Sequence, residues 1–201
     1  MAFSDFVYPD VLAKLDLTET SADLFGGVAA VAPSAALLSL MPNYLKLASL
    51  INTEKARSEL LVAPLLGEIW GRMRGHINLF SGVDFQADAE AKLTGFVDVL
   101  FGLGPQLPRL TAPVAVLFEA KRDCISDGYG QCIAAMVGAQ RFDLRAGKPQ
   151  PTIFGAVTTG VNWKFLTLVQ SRVTFDEMEY TVQQLDKLLG ILQHIVVSAK
   201  P

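Results

Sequence analysis

The spacing of apolar residues changes character several times along the chain. From Tyr44 they recur at helical intervals, through Leu47, Leu50 and Ile51 and on to Leu61, Val62, Leu65 and Ile69. Pro64 implies a kink or a restart within that helix. Tyr8 to Asp23 reads as one short helix, and Gly26, Gly27, Pro33 and Pro42 punctuate the next stretch, so the first seventy residues are expected to be helical. Between Ile77 and Leu103 the rhythm becomes short apolar runs separated by Gly82, Asp84 and Asp88, which predict strands ending in Gly95-Phe-Val-Asp-Val-Leu-Phe. A loop rich in Gly and Pro, Gly102 to Pro113, leads into Val114-Ala-Val-Leu-Phe-Glu-Ala-Lys. Apolar character on both alternating faces of that run predicts a central strand buried on two sides.

Gly128 to Arg145 predicts a helix with Ile133, Val137 and Phe142 on one side. Thr152 to Val169 predicts a hairpin turning at Thr159-Gly160. Asp176 and Glu179 stand in capping-box positions ahead of an amphipathic helix carrying Val182, Leu185, Leu189, Leu192 and Val196. Helices and strands in this order describe an α/β layer fold. One domain is expected over residues 1–201, with 1–43 a helical N-terminal extension and 44–198 the core; no repeat or low-complexity linker divides it.

Composition narrows the class. The chain has 201 residues, 51% of them hydrophobic and 18% charged, which excludes disordered and collagen-like classes. A mean hydropathy of +0.35 points to strands covered on both faces or to a surface covered by a second subunit, a homodimer. The longest weakly charged stretch, Gly26 to Leu50, is interrupted by Pro33, Pro42 and Asn43, so no membrane span is expected. With Asp5 and Asp10 ahead of the first lysine, Lys14, a secretory signal is not expected either, and a cytoplasmic location is the default. Cys124 and Cys132 match no zinc spacing and read as buried free thiols. The net charge of −3 argues against a protein that coats nucleic acid through bulk charge.

Three charged residues stand where burial makes charge costly. Asp98 lies inside an apolar strand, and Glu119 and Lys121 close the most apolar strand of the chain. An ionised group there costs several kcal/mol or more unless paired, neutralised or bound to a metal. Glu119 and Lys121, two apart on a strand, project from one face. If the Asp98 strand is their neighbour, two carboxylates and an ammonium converge. That is equipment for metal-assisted phosphodiester hydrolysis, with Mg²⁺ or Mn²⁺ held by Asp98 and Glu119 and Lys121 assisting the attacking water.

Asp98 followed by Glu119-Ala120-Lys121 resembles the signature of the PD-(D/E)xK, or restriction-endonuclease-like, nuclease superfamily; Val97 replaces the proline of that motif. Gly128-Tyr-Gly-Gln131 resembles the glutamine that follows the motif in many members. Glu54-Lys-Ala-Arg-Ser-Glu59 followed by Pro64-Leu-Leu is similar to the helix supplying a further acid, and to the N-terminal nuclease region of type I restriction motor subunits. The resemblance covers roughly residues 53–169. It implies a central mixed sheet flanked by helices in the order αβββαβ, with additional N-terminal helices and a C-terminal helix. It also implies a divalent-metal-dependent nuclease acting on DNA, with Asp98, Glu119, Lys121, Gln131 and a helical acid in the site. Among Glu54, Glu59 and Glu68 the resemblance favours Glu59.

Other readings stay open. Glu119 and Lys121 could form a structural ion pair, or the chain could be a non-catalytic binding or assembly module on the same fold. Trp163 and Lys164 read as a surface pair on the hairpin, and Arg141 and Arg145 as a solvated helix face. No Walker A sequence, dinucleotide fingerprint or serine elbow is present, and two histidines leave little for histidine-based chemistry.

Overall fold

Two neighbouring strands with no exposed residue form the centre of the molecule: β4 (Val114–Ala120) and β5 (Ile153–Thr158). They pair in parallel, Val116 opposite Phe154 and Ala120 opposite Thr158. A parallel pair needs a long crossover, supplied by α5 (Tyr129–Arg145). The computed structural model describes residues 2–199.

Six further strands complete one mixed, eight-stranded sheet. β1 (Thr18–Ala22), β2 (Ile77–Asp88) and β3 (Leu93–Leu103) precede β4, and β6 (Asn162–Val169), β7 (Arg172–Asp176) and β8 (Tyr180–Thr181) follow β5. The order across the sheet is β1-β7-β6-β5-β4-β3-β2, with β8 beside β6. β1–β7 and β4–β5 are parallel and the other pairs antiparallel.

Helices cover both faces. On one side α2 (Ala35–Ile51), α4 (Ala63–Arg72) and α6 (Leu185–Ser198) bury Leu65, Leu66, Ile69, Leu188 and Ile195 against Phe101, Phe118 and Trp163. On the other, α5 and the N-terminal turn bury Ile133, Met136, Phe3 and Phe6 against Leu100, Leu117 and Leu166. An α/β layer fold is therefore present. No helix among the described residues is long and apolar enough to cross a membrane.

Several expectations are corrected. Tyr8 to Asp23 is not one helix: α1 covers only Asp10–Lys14, Asp16 turns to φ 54°, and Thr18–Ala22 joins the sheet edge. The Thr-Glu-Thr-Ser stretch satisfies its backbone against β7, a long-range pairing that local periodicity does not report. Residues 1–43 are thus only partly helical, and position 43 falls inside α2, whose interior tolerates Pro42. The helix expected from Tyr44 to Ile69 breaks at Asn52, which is left-handed with φ 52°. Thr53 then caps α3 (Glu54–Arg57), accepting a hydrogen bond from the Ala56 N–H. A π-turn, Ser58–Val62, carries the chain into α4. It absorbs Pro64, which has no N–H to give an α-helical ladder. Gly82 does not separate strands; β2 runs through it. The capping box ahead of the last helix is made by Thr181 and Gln184, around the 3-10 turn Val182–Gln184 that leads into α6, not by Asp176 and Glu179. Asp176 ends β7, buried, where its carboxylate accepts from Tyr180 Oη at 3.1 Å and from the N–H groups of Leu24 and Met178.

A second buried acid anchors the start of β4. Asp143 of α5 is fully buried, and the Val114 N–H donates to both its oxygens at 3.0 and 3.1 Å. Burial pushes its carboxyl up to about 7, although the Val114 N–H and the Lys148 charge pull the other way. The native chain thus keeps this proton at pH values where the unfolded chain has released it. Asp143 makes stability fall as pH rises from about 4 to about 7. In thermal melts across that interval, Asp143→Asn should remove this share of the slope. The Tm gap between variant and wild type should move several degrees in the variant's favour as pH rises, at roughly 2–4 °C per kcal/mol; an unchanged gap refutes the assignment.

Candidate active site

β3 and β4 remain paired from Gly102 to Val99, where Val99 lies opposite Phe118, and then part. In the fork, Asp98 reaches across and its Oδ2 accepts from the Ala120 N–H at 2.8 Å. The two expected carboxylates therefore stand on adjacent strands at the C-terminal end of β4. Lys121 extends that end, its N–H donating to the Thr158 carbonyl of β5 at 2.8 Å. Its Nζ donates to Glu119 Oε1 at 2.7 Å and to Gln131 Oε1 at 3.2 Å. Asp98, Glu119, Lys121 and Gln131 are thus brought together. Glycine at 128 makes this fit possible. A Cβ there would lie 2.5 Å from Val157 Cγ1 and 3.2 Å from Lys121 Cγ, in the space the lysine stem occupies.

Glu119 is only 4% exposed. Burial and then the Asp98 charge push its carboxyl up to about 8, against the pull of Lys121; Glu54 adds a smaller upward push. Burial alone would lower the Lys121 ammonium, but the charge and hydrogen bond of Glu119, with Glu54 and Asp98 behind them, raise it overall. Lys121 stays charged, and Glu119 is the group whose ionisation is made costly.

One of the three helical acids is set apart from the other two. Glu68 is committed elsewhere: its carboxylate accepts from the N–H and Oγ of Ser34 at 2.8 and 2.6 Å and pairs with Arg72 at 2.6 Å. Glu59 is exposed and sits 3.7 Å from Lys55. Glu54 is also exposed, but its charge acts on both Glu119 and Lys121. Glu54 and Glu59 share a cavity of about 340 Å³ with Lys55, Ser58, Ser81, Gly82, Asp98 and Ala120. The Asn52 break and the π-turn set the facing of these acids, so angles counted along an unbroken helix could not rank them.

Gly82 and Gly128 shape the site through the side chains they lack. Gly82 has φ 60° and stands across from Asp98, between the pairs Ser81–Val99 and Val83–Val97. No atom lies within 4 Å of where its Cβ would be, so the cavity beside Asp98 is open on that side. A glycine interrupting a strand pattern was its available signal.

Elsewhere, Trp163 is wholly buried against Phe118 and Phe165, not a surface residue, because its strand, β6, lies inside the sheet. Arg141 and Arg145 both reach Asp88, at 3.0 and 3.5 Å. Cys132 is buried and free, but Cys124 is exposed, since it lies in the loop between β4 and α5.

Among the described residues, no group of three His, Cys, Asp or Glu side chains is close enough to hold a metal by itself. Two carboxylates still fit a hard dication such as Mg²⁺ or Mn²⁺, which keeps several waters and binds through one or two carboxylates plus substrate phosphate. The Asp98–Glu119 pair is an all-oxygen donor set, and the upward push that each negative charge exerts on Glu119 is what a cation would relieve.

Carboxyl chemical shifts followed by NMR titration test this electrostatic picture. Asp98→Asn should bring Glu119 down from about 8 towards its ordinary value, because a repelling charge is removed. Lys121→Met should move Glu119 further up. Shifts of the same sign in both variants would refute the arrangement.

No protein-family model matches the chain, and no curated protein matches it closely enough to count as a relative.

Proposed function

We propose that this protein is a divalent-metal-dependent nuclease that hydrolyses phosphodiester bonds in DNA, built on a restriction-endonuclease-like core. The observation that carries the proposal is the convergence of Asp98, Glu119 and Lys121 at the fork of β3 and β4, with Lys121 Nζ 2.7 Å from Glu119. The order α4, β2, β3, β4, α5, β5 agrees with the αβββαβ succession expected of such a core.

In this reading Asp98 and Glu119 would hold Mg²⁺ or Mn²⁺, with Glu54 and Glu59 facing the cavity that Asp98 lines. The bound cation would neutralise the phosphate and acidify a coordinated water. Lys121, fixed by Glu119 and Gln131, presents an ammonium that orients the nucleophile and offsets negative charge gathering on the phosphate oxygens. Gln131 accepts from Nζ and so positions the lysine. The buried walls around Glu119 exclude bulk water, which strengthens each of these interactions.

A second reading, a non-catalytic binding or assembly module on the same fold, draws on α2. Its Leu40, Leu47, Leu50 and Ile51 are exposed although large and apolar. Metal titration separates the two. The nuclease reading expects Mn²⁺ binding by calorimetry that Asp98→Asn abolishes, and nicking of plasmid DNA in Mg²⁺ or Mn²⁺. Lys121→Ala should slow that nicking by about 100-fold or more, the scale of losing one charge-stabilising donor. Equal nicking by both proteins, or no metal binding by wild type, overturns it.

A further inference from the structure

The β2–β3 hairpin is longer than the sheet beside it. Its strands stay paired from Ile77–Leu103 to Asp88–Leu93, whereas β3 pairs with β4 only between Val99 and Gly102. Beyond Asp98 the hairpin is therefore an arm that leaves β4 behind. One face of the arm is covered: Phe85 packs edge-on against Phe142 of α5 at 5.4 Å, and Ala87, Leu93 and Val97 are buried in the same cluster. Alternation along the strands turns Asp84, Gln86, Thr94 and Phe96 to the opposite face. That face looks away from α5, towards the side of the sheet on which α3 and α4 stand.

Phe96 is 69% exposed there. A single exposed apolar residue ordinarily needs no explanation; the place of this one is what matters. It precedes Asp98 by two residues, about 6.8 Å along a strand. Gly82 across from Asp98 leaves the intervening wall bare, and Lys55 and Ser58 of the α3 side line the cavity at its foot. An aromatic face free beside a phosphodiester site can take a nucleobase, a contact indifferent to base identity. Bases inside a duplex are already stacked on each other and offer no free face. Stacking is also the contact that asks least of charge. Asp84 is the cross-strand neighbour of Phe96 and the chain carries a net −3, whereas duplex binding by counterion release needs many placed cations.

We propose that Phe96 is a stacking platform for an unpaired nucleobase next to the scissile phosphate, and that the substrate is a DNA single strand or frayed end, not an intact duplex. The proposal rests on the nuclease reading and names the substrate class of that same site. Phe96 is exposed, so replacing it should not disturb folding. The test uses the full-length protein, first without metal, and a single-stranded oligodeoxynucleotide carrying 2-aminopurine. Wild type should bind it with a fluorescence change, more tightly than a blunt duplex of the same sequence. Phe96→Ala should weaken binding about tenfold or more, and Phe96→Trp should restore it. Cleavage in Mn²⁺ is then measured on both DNAs. If wild type and Phe96→Ala bind the single strand equally and both cleave it, the platform is overturned and the nuclease stands. If binding depends on Phe96 but neither DNA is ever cleaved, the platform stands as a binding site and the nuclease reading falls. Equal affinity for strand and duplex overturns the substrate assignment.

Discussion

Glu119 has been stripped of almost all its water, and the 2.7 Å contact with the Lys121 ammonium is the main attraction the protein itself offers that carboxylate in return. Asp98 works against it from the neighbouring strand. A structure designed only for stability would gain from apolar side chains at these positions, since breaking even with a buried ion pair is difficult. Here the cost is concentrated at one end of the driest strand in the sheet, and much of the surrounding architecture serves to hold it there. β5 receives the backbone of Lys121, α5 supplies Gln131, and the absence of a side chain at Gly128 gives the lysine stem its path. The far end of β4 is fixed by a second buried acid, Asp143, which ties the strand to the same helix. α5 thus grips β4 at both ends, and the position of Glu119 relative to Asp98 is set by rigid elements, not loops.

That arrangement also explains the geometry of the fork. Where β3 turns away from β4, the Ala120 N–H would lose its ladder partner, and the Asp98 carboxylate takes that role. The same side chain therefore closes a gap in the sheet and supplies charge to the cavity. A group with both duties holds its place without help from a ligand, a form of preorganisation.

Much of this was legible in the sequence because it depends on short-range pattern. The unbroken apolar run before Glu119, its i, i+2 relation to Lys121 and the hairpin turn at Thr159-Gly160 follow from strand alternation and turn chemistry, and β4, β5 and β6 appear where expected. What was not legible depends on partners far away in the chain. β1 is polar and short, and only its pairing with β7 makes it a strand. Trp163 is fully buried near the start of β6, and residue type alone could not distinguish that from a surface tryptophan. The choice among Glu54, Glu59 and Glu68 turned on a left-handed Asn52, a π-turn and the engagement of Glu68 by Ser34. Each redirects side chains by an angle that counting residues cannot supply.

The parallel pairing of β1 with β7 has a consequence for how the chain matures. Among the described residues, Thr18 to Ala22 pair only with residues 172–176, so the first of these strands to be made has to wait for the seventh. Closing so large a loop is slow relative to forming the local hairpins. The composition of that strand suits the delay: Thr, Glu, Thr and Ser can wait in water without offering an apolar template to another chain. Newly made protein should therefore pass through a state in which the central strands are assembled and the rim of the sheet is still open.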